Sequence, residues 1–340
     1  MTPSTAEPPT SAPAATNDAS AADHGIANAN NIGATNPSSQ PAAPRAAAAI
    51  YDLGYKRYAG IRLAASARWR VIMRNQLSTA WKGWWRLKFP LGAAVMITLV
   101  AGAVMYVSSN KMFNAIASRG MNITFSDGIV PFSMTFFSRA AFIFSLTVGA
   151  SVIASDAQSG GFTFYFARPV RPLDYVLGKF SGLLLATMLI MMAGPLFLAG
   201  ERLGLAETTS ELVDLLPMLG KAAAAGFLGA LLYAALPLGF SALANKRRTA
   251  VALWAGAYLI AGSILAGIGL LTNLPLGALD PPTAVTSLTF HLFDVQWNGR
   301  SAMVPMPYAL ASIATYVILG LGLAWWRVSD SRSTGVGGVP

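Results

Sequence analysis

Residues 140–198 read AAFIFSLTVGASVIASDAQSGGFTFYFARPVRPLDYVLGKFSGLLLATMLIMMAGPLFL. Two almost purely apolar runs, Ala140–Ala154 and Phe180–Leu198, are separated by one polar stretch, Ser155–Lys179. A helix that crosses a bilayer needs about 20 apolar residues, within a range of roughly 17–25. The second run meets that length, and the first does once Val130–Arg139 is joined to it. Leu91–Ser108, Ala222–Leu243, Ala250–Leu271 and Tyr308–Trp326 meet it as well. The pattern predicts an all-α integral membrane protein with a bundle of six transmembrane helices. Small residues in stretches such as AAAAGFLGALLYAALPLGFSALA (222–244) suit close helix packing in lipid.

The composition agrees: 54% of the 340 residues are hydrophobic and 11% charged, where a soluble domain carries about 25% charged residues. The formal charge of +10 invites a nucleic-acid reading, but the placement of the cations opposes it. Segment 45–88 holds Arg45, Lys56, Arg57, Arg62, Arg68, Arg70, Arg74, Lys82, Arg86 and Lys88. On the same side fall Arg168 and Arg171, then Lys246, Arg247 and Arg248, then Arg327 and Arg332; the opposite loops hold only Lys111, Arg119, Arg202 and Arg300. That asymmetry is the positive-inside signature. It predicts a multi-pass protein of the cytoplasmic (inner) membrane with both termini in the cytoplasm.

The expected organisation is a disordered tail over 1–48, a cytoplasmic interfacial amphipathic helix over 49–88, the transmembrane domain over 89–330 and a short cytoplasmic tail over 331–340. The first segment is rich in Ala, Pro, Ser, Thr and Asn and has no aromatic residue before Tyr51, so it lacks the makings of a core. Its first basic residue is Arg45 and no apolar run follows Met1, so it does not read as a signal peptide. On a helical wheel Met73, Leu77, Trp81 and Trp84 share a stripe opposite Arg68, Asn75, Thr79, Lys82 and Arg86. Trp69, Trp81, Trp84 and Trp85 are then interfacial anchors on an anionic leaflet. Docking of a cytoplasmic partner is the alternative use of this helix. The outward segment Asn273–Pro307 carries Phe290, Phe293 and Trp297 and reads as interfacial or partly re-entrant.

Catalytic patterns are missing. There is no G-x-x-x-x-G-K-[ST] phosphate loop, no G-x-S-x-G elbow and no H-E-x-x-H helix. With no cysteine and two distant histidines, His24 and His291, no metal site is expected. Arg139 is the one cation well inside a span. At mid-membrane it would cost roughly 2.5–3.5 kcal/mol, so it either snorkels outward, pairs with Asp127, Asp280 or Asp294, or lines a polar pathway.

The stretch between the apolar runs decides the function. Gly160-Gly161 and the prolines of ARPVRPLD interrupt helix, Asp174 suits the N-terminus of the third span, and Lys179, one turn further in, is expected to snorkel back. A basic inside loop accounts for this much. The residues Asp156, Gly160, Arg168, Pro169, Val170, Arg171, Tyr175, Gly178 and Lys179, together with the six-span layout, the preceding amphipathic helix and the basic turn SALANKRR (241–248), resemble the permease subunits of ABC-2 type ABC transporters. The family more often has glutamate where this chain has Asp156. The resemblance covers about 50–330 and implies that Asp156, Gly160, Arg168, Pro169, Arg171, Asp174, Tyr175 and Lys179 couple the permease to a separate ATPase subunit. It further implies ATP and Mg bound in that partner and no cofactor in this chain, a second permease subunit making a homodimer, and export as the direction of transport. Rival readings remain: a non-transporting membrane anchor for a larger assembly, a secondary transporter, which would want carboxylates at mid-membrane, and an intramembrane enzyme, which would want clustered His, Asp or Glu.

Overall fold

The computed structural model describes residues 67–109, 125–167, 170–295 and 304–333. The tail over 1–48, the start of the expected amphipathic helix, Arg168, Pro169 and Trp297 lie outside them. All regular structure among the described residues is helical, and six helices are long and apolar enough to cross a membrane. In chain order the elements are α1 (Arg68–Lys82), α2 (Trp84–Ser108), α3 (Gly128–Gln158), the short α4 (Gly161–Phe166), α5 (Pro172–Gly204), α6 (Thr209–Leu243), α7 (Arg247–Thr272), α8 (Pro281–Leu292) and α9 (Met306–Ser333). The spans α2, α3, α5, α6, α7 and α9 fall on the six stretches expected from the sequence.

Burial sorts the spans into two groups. α3, α5 and α6 are mostly enclosed, whereas α2, α7 and α9 turn apolar faces such as Leu99, Val100, Ile264 and Ile318 outward. An apolar exterior is what a bilayer solvates, so the packing between helices must come from shape. The α6–α9 crossing shows how. A Cβ on Gly239 would lie 2.7 Å from the Cα of Gly320, so the two backbones touch where neither residue carries a side chain.

Two expected boundaries shift. The amphipathic helix does not run to Lys88: α1 stops at Lys82, Gly83 is extended (φ −96°, ψ 129°), and Trp84–Lys88 forms a wide π-helical first turn of α2. Glycine is the poorest helix former apart from proline, and the chain bends at it. The second shift is in 273–307, where α8 is not a surface segment. Its Ala284, Val285, Leu288 and Thr289 are fully buried, as is most of Phe290, because α8 packs against α3, α6 and α9. Twelve residues are too few to cross a membrane, which is why the sequence reads as interfacial or partly re-entrant.

Candidate functional site

The site lies at the basic end of the bundle, where α1, α4, the Asn245–Lys246 turn and the end of α9 gather. α3 reaches it through a break. Gly149–Ser151 is a 3₁₀ turn, after which helix resumes at Val152. A new helix start leaves backbone N–H groups without partners. Here the hydroxyl of Ser241 on α6 accepts from both Ile153 N (2.9 Å) and Ala154 N (3.0 Å), fully buried. The last two turns of α3 are thus capped by a neighbouring span. They end at Gly160, whose φ of +67° is a left-handed conformation open to glycine, and α4 follows at once.

α5 begins at the same place. Pro172 occupies its first turn, and Asp174 accepts from the backbone N–H of Arg171 (3.3 Å), the capping position expected from the sequence. Tyr175 and Lys179, four residues apart, share a face and meet α3. The phenol of Tyr175 donates to Asp156 Oδ2 at 2.6 Å, and the ammonium of Lys179 sits 2.9 Å from the same oxygen. Lys179 also donates to Gln76 Oε1 of α1 (3.3 Å) and lies 5.8 and 5.5 Å from the ring centres of Tyr165 and Tyr175. The two tyrosine rings pack edge to face at 5.0 Å, with Phe162 of α4 against Tyr175 at 5.7 Å. Burial, and then the charge of Asp156, pushes the Tyr165 phenol above its ordinary pKa.

Lys179 therefore does not snorkel. It is 5% exposed, and the reason is local: a carboxylate, an amide and two ring faces supply what water would. Burial of an ammonium is tolerated only with such partners. The same two turns of α5 also seat α1. A Cβ on Gly178 would lie 2.6 Å from Ile72 Cβ and 2.8 Å from the carbonyl oxygen of Trp69. Accordingly α1 buries Ile72, Gln76 and Ala80, an edge one residue away from the predicted Met73, Leu77, Trp81 and Trp84 stripe. Met73 and Leu77 are half-buried, and Trp81, Trp84 and Trp85 are exposed.

The structure thus brings Asp156, Tyr175 and Lys179 into one node, with Gly160 and Asp174 shaping its borders. Arg171 is exposed beside them, and Phe164 and Leu173 point outward nearby. Gln76 and Ser241 were not singled out as site residues by sequence reasoning; a polar residue on the buried edge of α1 and the serine that opens the SALANKRR turn are the signals. Arg139 is exposed on α3. Of its expected partners, Asp294 takes Lys221 instead, at 2.8 Å, Asp280 accepts from Thr283 at the start of α8, and the Asp127 side chain is outside those described. Gln158 accepts from Arg247 N (3.1 Å) and Asn245 accepts from Arg327, tying α3, α7 and α9 together around the node. Among the described residues no group of three or more His, Cys, Asp or Glu side chains is placed to hold a metal ion. The arrangement joins four helices mechanically, and nothing in it resembles a nucleophile with its base.

Residues 64–327 match the model of a family described as ABC-2 family transporter protein. No curated protein matches the chain.

Proposed function

The chain belongs to the ABC-2 transporter family and is a six-helix membrane permease; from that premise we propose that it exports its substrate using ATP hydrolysed by a separate ATPase subunit. The permease acts as a homodimer in the cytoplasmic membrane, with its basic end and both termini in the cytoplasm. Supporting the orientation is the gathering of Lys246, Arg247, Arg248, Arg327 and Arg332 at that end.

The observation that carries the reading is the Asp156–Lys179 pair, with Lys179 buried and Asp156 mostly so, on the same helical segments that carry the exposed Arg171, Phe164 and Leu173. A partner pressing on α4 pushes on the aromatic cluster of Phe162, Tyr165 and Tyr175. That cluster cannot yield independently, because the Asp156 carboxylate holds Tyr175 and Lys179 of α5 at once. The displacement passes to α5 as a rigid unit, and to α1 through Gln76 and the glycine seat. Two-state packing, not bending of side chains, is what transmits such a movement.

The experiment is a pull-down of the full-length protein, gently solubilised from its native membrane. Recovery of an ATPase subunit, lost when Arg168 and Arg171 are both reversed to glutamate, is the expected result. Recovery of the protein with no ATPase would remove the energy source and leave a membrane anchor as the better reading.

A further inference from the structure

We propose that the bend between α1 and α2 is a binding surface for anionic phospholipid headgroups, formed by Lys82, Arg86 and Lys88 among the indoles of Trp81, Trp84 and Trp85. Depth is the first ground. Phe89–Ser108 is a 20-residue helix without a single charge, about 30 Å long at 1.5 Å per residue, which equals the hydrocarbon thickness of a bilayer. The turn just before it lies in the headgroup layer, and the end of α1 lies there with it.

The second ground is what the protein leaves uncovered. The buried edge of α1 packs on α5, yet Trp84 and Trp85 are 66% and 67% exposed and Trp81 is 52% exposed. Three bare indoles within one short bend mark a surface meant for contact, and indoles favour the headgroup boundary.

Charge is the third. From 67 to 109 there are six cations and no aspartate or glutamate. The two nearest the membrane are held in place. Arg86 Nη1 donates to the carbonyl of Thr79 near the end of α1 (3.1 Å), and Lys88 Nζ lies 5.7 Å from the ring centre of Trp81 across the bend. Their stems are thus ordered before any ligand arrives, while donors remain for phosphate oxygens. A soluble acidic protein would have to enter the headgroup layer between the indoles to reach them, whereas a lipid phosphate is already at that depth.

The test uses the full-length protein in phosphatidylcholine vesicles carrying a trace of spin-labelled phosphatidylglycerol or phosphatidylcholine, with association read by electron paramagnetic resonance. Phosphatidylglycerol should be favoured by about five-fold, the effect of roughly one well-placed cation. The Lys82→Gln/Lys88→Gln variant should fall toward parity, while Lys246→Gln/Arg248→Gln, an equal charge loss at the same end of the bundle, should keep the preference. Absence of a preference in the unaltered protein overturns the proposal. So does its survival in the Lys82/Lys88 variant, and so does an equal fall in both variants, which would mean diffuse attraction. If the Lys82/Lys88 variant does not fold, salt decides on the unaltered protein. The preference should shrink strongly by ~0.5 M NaCl, where screening acts within a few ångströms, and a preference indifferent to salt overturns the assignment. The readout needs no ATPase and is independent of the transport reading.

Discussion

Two lysine–aspartate pairs of almost equal length close opposite ends of this bundle. At the basic end Lys179 and Asp156 stand 2.9 Å apart with side chains 7% and 21% exposed. At the other end Lys221 of α6 and Asp294, just past α8, stand 2.8 Å apart with side chains 35% and 83% exposed. Distance alone would rate them alike. Their surroundings separate them: the first pair also engages Tyr175, Gln76 and two ring faces, while the second is washed by solvent. A buried charge is costly when stranded, and an exposed pair is worth little either way. The inner pair is therefore the one on which the structure depends.

The largest expected effect comes from stranding one member. Lys179→Met leaves the Asp156 carboxylate without its counter-charge and should cost about 3–5 kcal/mol, read from denaturant unfolding in detergent micelles. The double variant Asp156→Leu/Lys179→Met sharpens the comparison, because replacing both members by apolar groups is often neutral for stability. It should recover most of the loss, yet transport should stay absent, since Tyr175 and Lys179 no longer share an oxygen with α3. Recovery of transport together with stability would reduce the node to a stabilising pair and break the coupling account.

Ser241→Ala should rank second. The serine hydroxyl serves two buried backbone N–H groups at the break in α3, and a buried unsatisfied group costs about 1–3 kcal/mol. Ser241→Thr, which keeps the hydroxyl, should retain most of the stability that the alanine variant loses, measured the same way. If alanine proves harmless, the end of α3 is not held by α6, and the node is less rigid than its geometry implies.

Gly178→Ala comes third and acts on placement. The added methyl meets Ile72 and the Trp69 carbonyl, so α1 must lift from α5 and release Gln76 from Lys179. Overpacking of this kind costs about 1–3 kcal/mol, and a disulfide designed between α1 and α5 should form more slowly in the variant.

Such features explain how far the sequence could be read. Six spans were legible because run length and composition are local properties that lipid enforces residue by residue. Asp156, Tyr175 and Lys179 were legible as candidates through the resemblance that the segment between the second and third spans bears to the family. Their meeting was not, since it depends on the left-handed Gly160 and on Gln76, far away in sequence. The edge of α1 that packs on α5 was not legible, because Met73, Leu77 and Trp81 outweigh Ile72, Gln76 and Ala80 in apolar content, yet the notches at Gly178 and Gly182 admit only the smaller edge. Lys179 looked like a snorkelling cation because snorkelling needs only its own stem, whereas burial needs Asp156, Gln76 and Tyr165 brought in from three other helices.

The outer pair supplies the smallest expected effect. The hydrogen bond from Lys221, then its charge, holds the Asp294 carboxyl below its ordinary value of about 3.8. A depressed folded-state value means stabilisation that is complete above the ordinary carboxylate value and fades as the pH falls through the lowered one. Asp294→Asn should thus leave the melting temperature unchanged within error at neutral pH, because the carboxylate is fully exposed and screened. The slight acid-side decline of the unaltered protein should be shallower in the variant. A large loss at neutral pH would contradict the contrast between the two ends, for it would mean that α8 is held by this solvent-exposed bond and not by the burial of Ala284, Val285 and Leu288 against α3, α6 and α9.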